Sequence, residues 1–263
     1  MATPHLLPGT EIVALPASAS GRRYQLHVAI PGSAARNPGR RHPVVYLTDP
    51  YWDFPLVYAT HGNLVFDQAI PECVLVGIGY EGEGLDYEAL RVGDLAPVPD
   101  PQGRHPAPGG GWASAFLGFL EDQVIPLVER SYPVDPARRV MLGSSMGALF
   151  ALFAMFTRPG LVQSTVAVSP AVLWANEWIF GLEERFAAGR EQLRGRLFLS
   201  GAAEEWPYFL GPLVRFKERV WARAYPGLAL QWRLIDGEKH SGTKAEGFTR
   251  GLRFAFEGQT GPV

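Results

Sequence analysis

The stretch from Arg139 to Phe156 leaves this chain few ways to fold. Arg139-Val140-Met141-Leu142 reads as a short buried strand, and the nine apolar residues Ala148 to Phe156 read as a buried helix. Only Gly143-Ser144-Ser145-Met146-Gly147 lies between them, a Gly-x-Ser-x-Gly pattern. A strand that reverses into a helix over so few residues needs a strained turn, and glycines on both sides leave room for it. A plain tight turn would satisfy the same spacing. In a strand–turn–helix setting, however, the central serine is presented at the strand's carboxyl end. It faces the free N–H groups and positive dipole end of the helix, where an oxyanion would form. Ser145 is therefore the candidate nucleophile.

The rest of the chain alternates in the same way. Strands are expected at 11–15, 24–30, 44–48, 73–78, 162–168, 196–200 and 228–234. Helices are expected at 54–68, 112–130, 177–190, 208–224 and 244–257. In the 112–130 segment Phe116, Leu120, Val124, Leu127 and Val128 form one apolar stripe. Strands alternating with helices imply an α/β fold, with a largely parallel sheet covered on both faces and room for antiparallel pairing among the first strands. Neither a repeat nor a linker divides the sequence, so one domain over 1–263 is expected. The Pro- and Gly-rich stretch 79–111 reads as an irregular excursion over the active-site face.

Composition narrows the function classes. With 47% hydrophobic and 19% charged residues the chain has enough apolar side chains for a full core, and a net charge of −2 gives no footing for nucleic acid or an anionic membrane. The lone cysteine, Cys73, excludes an internal disulfide and reads as a strand residue. The first eight residues lack a signal-peptide pattern and no run is long enough to span a bilayer, so a cytoplasmic location is expected. The histidines are scattered and none has ligand spacing with the cysteine, so neither metal nor cofactor is expected.

A serine hydroxyl attacks only when a base takes its proton. Of the six histidines, His5 is near the terminus, His42 is in a basic turn and His27 is inside a strand. His61 and His105 precede Ser145, whereas the elbow fold orders its partners as serine, acid, histidine. That leaves His240, on the loop beyond the last strand, where functional groups gather. The acid should follow an intervening strand, and Glu204-Glu205 comes directly after 196–200. Glu204 is favoured. Glu205, before Trp206-Pro207, suits a helix N-terminus, and Asp236, four residues before His240, suits a turn. For the oxyanion, Met146 supplies one backbone N–H. The second donor should come from Thr48-Asp49-Pro50-Tyr51-Trp52, where Pro50 has no N–H and Tyr51 is the candidate.

Together these residues resemble the putative-esterase family of α/β-hydrolases, which includes enterochelin and salmochelin esterases. The resemblance covers nearly the whole chain. Leu47-Thr48-Asp49-Pro50 stands at the family's Leu-Asp-Gly, and Arg91-Val92-Gly93-Asp94-Leu95-Ala96-Pro97 at its Arg and Asp-aromatic-Thr-Pro run. Gly109-Gly110-Gly111, with Phe116 to Leu120 and Ile125-Pro126, is similar to the family's helix entry. Tyr132-Pro133-Val134-Asp135-Pro136 precedes the elbow, and Ser169-Pro170-Ala171-Val172-Leu173-Trp174 is similar to Ser-Pro-Ser-x-Trp-Trp. Departures are Ser144 for the family's histidine, Ala148 for glycine, and Pro50 for glycine in the oxyanion loop, which should stiffen it and reshape the acyl pocket.

The resemblance implies an α/β-hydrolase fold and a serine carboxylic-ester hydrolase acting through an acyl-enzyme on small to medium acyl esters. Alternatives on the same scaffold are a siderophore trilactone esterase and an acyltransferase; a binding scaffold without catalysis is the alternative of another class. Trp52, Arg91, Trp112 and Trp174 are the candidate substrate contacts, with Tyr51 and Trp206 near them, and Arg91 could instead pair with Asp94 to brace its loop. The expected partner is a small-molecule ester. Oligomeric state is left open.

Overall fold

The chain order of the strands sets where a ligand can sit, and the computed structural model describes residues 6–18, 21–100, 110–189 and 192–259. The elements are β1 (Thr10–Ala14), β2 (Tyr24–Ala29), α1 (Ser33–Arg36), β3 (His42–Thr48), α2 (Pro50–Phe66), β4 (Val74–Tyr80) and α3 (Tyr87–Leu95). They continue through α4 (Ala113–Phe119), a π-helical turn (Leu120–Val124), α5 (Ile125–Ser131), β5 (Val134–Ser144) and α6 (Met146–Thr157). The chain ends with β6 (Ser164–Val168), α7 (Trp174–Gly189), β7 (Gly195–Ala202), α8 (Pro207–Arg223), β8 (Leu228–Ile235) and α9 (Thr243–Ala255).

The eight strands form one sheet in the order β1-β2-β4-β3-β5-β6-β7-β8. β1 and β2 pair antiparallel, β2 meets β4 antiparallel, and every pairing from β4 through β8 is parallel. From β3 the chain steps one way to β4, then returns to lay β5 on the other side. That reversal opens a crevice at the carboxyl ends of β3 and β5, the place where open α/β sheets bind ligands. Both sheet faces are covered. Val44, Tyr46, Val76 and Met141 point into one apolar layer with α4 and α6, whereas Val45, Leu47, Leu75 and Leu142 point into the other with α2 and α9. Alternate residues of one strand feeding opposite layers explains why the central strands read as continuous apolar runs.

Three expectations need correction. The 79–111 stretch is not wholly irregular, because Tyr87–Leu95 is helix α3, its N-terminus capped by the Asp86 carboxylate accepting from Ala89 N–H at 3.0 Å. Residues 101–109 of that stretch lie outside those described. The helix expected over 112–130 runs through a π-helical turn at Leu120–Val124, just before Pro126, whose ring cannot donate to a regular ladder. The element that holds the helix expected from Glu177 reaches back to Trp174 only through three left-handed residues, Ala175, Asn176 and Glu177 (φ 49, 56 and 64), so its right-handed helix starts one residue later than expected, at Trp178. Among the described residues no helix is long and apolar enough to cross a membrane.

Candidate active site

Ser145 closes β5 and opens α6 with φ 54 and ψ −116, a conformation that costs a non-glycine residue about 1–3 kcal/mol. The elbow holds it there. Its N–H donates to Val168 O at 3.0 Å, and its carbonyl accepts from Leu149 and Ala171 N–H at 3.0 and 3.1 Å. A side chain at Gly143 would overlap the Gly147 backbone, and one at Gly147 would overlap the Thr48 hydroxyl. Both glycines are therefore required by close approach, and the second brings α6 against the end of β3.

His240 lies on the loop beyond β8, half-buried between Phe209 and Trp206, whose rings are 4.6 and 5.9 Å from the imidazole. Its Nδ1 is 2.6 Å from Oε2 of Glu205. A carboxylate only accepts, so Nδ1 carries the proton and Nε2 keeps its lone pair for a substrate or nucleophile proton. The partner is Glu205, not Glu204. The two follow β7 in a turn in which Glu204 N–H donates to Glu238 O and its side chain is exposed. Glu205 is buried at 6% exposure, and its other oxygen accepts from Trp206 N–H at 3.2 Å. It thus stands at the entry to α8, as its place before Trp206-Pro207 suggests, and pairs with His240 as well. Nothing in the sequence shows which of two adjacent glutamates turns inward. Asp236 is exposed.

On the other flank, Asp49 caps α2 in left-handed backbone, φ 53 and ψ 44. Tyr51 and Met146 occupy the first turns of α2 and α6, where backbone N–H groups lack acceptors within the helix. These helix starts follow adjacent strands, so their positive ends converge at the crevice. Pro50 packs against β4: a Cβ on Gly77 would come 2.5 Å from Pro50 Cβ, and one on Gly79 2.9 Å from Pro50 Cγ. A stiff loop is thereby seated on two bare strand positions.

Arg91 lines a small cavity with Asp49, Tyr51, Trp52 and Tyr87, and it does not pair with Asp94. It forks onto Asp49, Nε to Oδ1 at 2.8 Å and Nη2 to Oδ2 at 2.9 Å, with both residues buried. Burial works against its charge, but the Asp49 and Glu88 carboxylates outweigh that and hold its pKa above the ordinary value. Asp94 instead accepts from Arg22 Nη1 at 2.6 Å and Tyr24 Oη at 2.8 Å. Trp174 is buried at 8% exposure and donates Nε1–H to Val98 O at 2.8 Å, so it braces the chain after α3. Trp52 and Trp112 are 44% and 40% exposed; Trp52 edges onto Tyr87, and Trp112 carries Arg22 on its face at 4.5 Å. Tyr51 is 61% exposed and stacks on Tyr87 at 4.9 Å, and Trp206 stacks on Tyr208 at 6.0 Å. Exposed aromatic pairs thus stand both at the start of α2 and at the start of α8.

Asp53, Ser144 and Lys244 were not anticipated. Asp53 Oδ2 accepts from Ser144 Oγ at 2.8 Å and its Oδ1 from Lys244 Nζ at 2.7 Å. This bridge joins the residue before Ser145 to a residue four beyond His240, so the two loops meet. A carboxylate four positions after Asp49 in an apolar helix was the available signal. Among the described residues no cluster of His, Cys, Asp and Glu could hold a metal ion.

Comparisons with known proteins identify the family and the fold. The profile of the family described as Putative esterase matches residues 17–196. The ferri-bacillibactin esterase BesA of Bacillus subtilis is 26% identical over 265 residues, covering 95% of this chain and 90% of that protein. A siderophore triacetylfusarinine C esterase of Aspergillus fumigatus is 36% identical over 135 residues, 46% of this chain and 45% of its own. In fold, the chain superposes on a BES protein from Bacillus cereus with a TM-score of 0.85 at 23% identity over 97% of both chains. The siderophore hydrolase EstA from Aspergillus nidulans gives 0.82 at 23% identity, also over 97% of both.

Proposed function

Since the chain belongs to the putative esterase family and is a serine ester hydrolase, we propose that Ser145 is its nucleophile, His240 its base and Glu205 the carboxylate that orients His240. The observations that carry this reading are the 2.6 Å contact between His240 Nδ1 and Glu205 and a serine held at φ 54 in a strand-to-helix turn. His240 Nε2 takes the Ser145 proton as Oγ attacks the ester carbonyl. The carbonyl oxygen becomes an oxyanion, received by Met146 and Tyr51 N–H at two helix starts. Collapse expels the alcohol, which takes the proton from His240, and leaves an acyl-serine. Water attacks that ester by the same proton route, releasing the acid and restoring Ser145. Glu205 holds the tautomer throughout and stabilises the imidazolium.

A fluorophosphonate probe tests the nucleophile. Phosphonylation of Ser145, located by peptide mass, is the expected result; labelling elsewhere, or none by an active preparation, would overturn it.

For the substrate, the near full-length match to a ferri-bacillibactin esterase favours a siderophore-type polyester over a simple acyl ester. Aromatic pairs exposed at the starts of α2 and α8 give flat faces for large planar groups. The reading predicts faster turnover of a catecholate trilactone than of p-nitrophenyl acyl esters across an acyl-chain-length panel. A reversed ranking would return the assignment to small and medium acyl esters.

A further inference from the structure

We infer that Asp53 is a positioning residue that sets the elbow, the oxyanion helix and the histidine loop in register through Ser144 and Lys244. The inference rests on Ser145 and His240 acting as proposed above. Asp53 lies in the first turns of α2, one turn after Asp49 and two residues beyond Tyr51. Its carboxylate is 1% exposed, yet both oxygens are used: one by Ser144 Oγ–H, one by Lys244 Nζ–H. Ser144 is the last residue of β5 and covalently precedes Ser145. Lys244 is the second residue of α9, which packs on α2 after its loop has returned from the sheet edge at β8.

The energetics point to geometry rather than stability. Burial pushes the Asp53 carboxyl up from its ordinary pKa and nearby Asp49 adds to this, while Lys244 and Ser144 pull it back. A buried ion pair of this kind repays its desolvation cost poorly, and an apolar pair would often serve stability as well. What an apolar pair cannot supply is direction. Three segments 91 and 191 residues apart in sequence meet on one carboxylate. A displacement of about 1 Å between nucleophile, base and oxyanion donors is enough to cost on the order of 100-fold in rate. α9 needs such a tie more than α6 does, because its loop crosses from the edge strand.

The test separates register from stability. Lys244→Met strands the Asp53 charge and should lower both melting temperature and kcat. In Asp53→Asn/Lys244→Met the stranded charge is gone, so the melting temperature should return toward that of the native protein. The kcat on p-nitrophenyl acetate should nevertheless stay down about 10-fold with KM within about twofold, because the tether is missing. Lys244→Arg should recover kcat to within about threefold. If kcat of the double variant recovers along with stability, or if the loss falls on KM alone, the carboxylate only fills space and the inference fails. Ser144→Ala removes a single hydroxyl and keeps the question open if the charge variants do not fold. It should slow fluorophosphonate labelling about fivefold while lowering the melting temperature less than Lys244→Met does, since one buried carboxylate oxygen loses its donor but the charge keeps its partner, and an unchanged labelling rate would count against the clamp. Ser145→Ala stands as the control: if it stays active, the nucleophile assignment has failed; if it is inactive while the clamp variants behave like the native protein, only the clamp falls.

Discussion

On the oxyanion flank of Ser145, Asp49 is gripped by two Arg91 nitrogens, Pro50 sits on Gly77 and Gly79, and α3 is tied down again through Asp94 to Arg22 and Tyr24. Across the crevice, the histidine loop hangs from edge strand β8 with Asp236, Gly237, Lys239, Ser241 and Gly242 exposed. Its ties are Glu204 N–H to Glu238 O, Thr243 N–H to Lys239 O, Lys244 N–H to Ser241 O, the Glu205–His240 contact and the Lys244–Asp53 bridge, and they leave most of its side chains in solvent. One flank is a buried frame and the other a tethered arm. An oxyanion hole gains from donors that do not move as charge develops. In the proposed mechanism a base that collects a proton from Ser145 and returns it to a leaving group needs one fixed axis, which the Glu205 contact would supply, more than a rigid loop.

Substitutions should expose that difference in order of size. Ser145→Ala lies between the flanks and should be the most severe, with kcat falling about 10⁴-fold or more and melting temperature nearly unchanged, measured on p-nitrophenyl esters. Glu205→Gln removes the arm's orienting charge and should cost between about 10²- and 10⁴-fold in kcat, because Nδ1 can then adopt the wrong tautomer. A loss under tenfold would show that the loop backbone alone holds His240.

The frame should break differently. Arg91→Met leaves the Asp49 carboxylate buried without its partner, and loss of one member of a buried pair costs about 3–5 kcal/mol. Chemical denaturation should register this as a lower midpoint. The milder Gly77→Ala puts a methyl carbon where Pro50 Cβ would be 2.5 Å away and Phe54 Cδ2 3.1 Å. Overpacking of that kind costs about 1–3 kcal/mol, and the displaced loop should lower kcat about tenfold. A Gly77→Ala variant with native kcat would mean the loop is softer than its packing indicates.

The same contrast explains what the sequence could reveal. Strand and helix order, the elbow and His240 were legible because each follows from local pattern: apolar runs, paired glycines, position after a strand. Tyr51 was chosen over Pro50 as an oxyanion donor on similarly local ground, since proline has no N–H. The fork of Arg91 onto Asp49 was hidden because the two lie 42 residues apart in the chain. Helix α3 was hidden in a Pro- and Gly-rich stretch whose helical part is only nine residues long. The clamp on Asp53 joins positions 91 and 191 residues apart, which no local period encodes.

The smallest expected effect is also the sharpest test of the tethered arm. Glu204 and Glu205 share charge, size and place in the chain, and differ only in which way the turn after β7 points them. Glu204→Gln should leave kcat within about twofold and melting temperature within error, since an exposed side chain away from any tie changes little. Its backbone N–H, which holds Glu238 O, survives the substitution. Steady-state kinetics on both single variants would then give two neighbouring carboxylates whose effects differ by about 100-fold or more. If both losses were equal, the two side chains would exchange places on His240, and the arm would have two orienting carboxylates where the structure shows one.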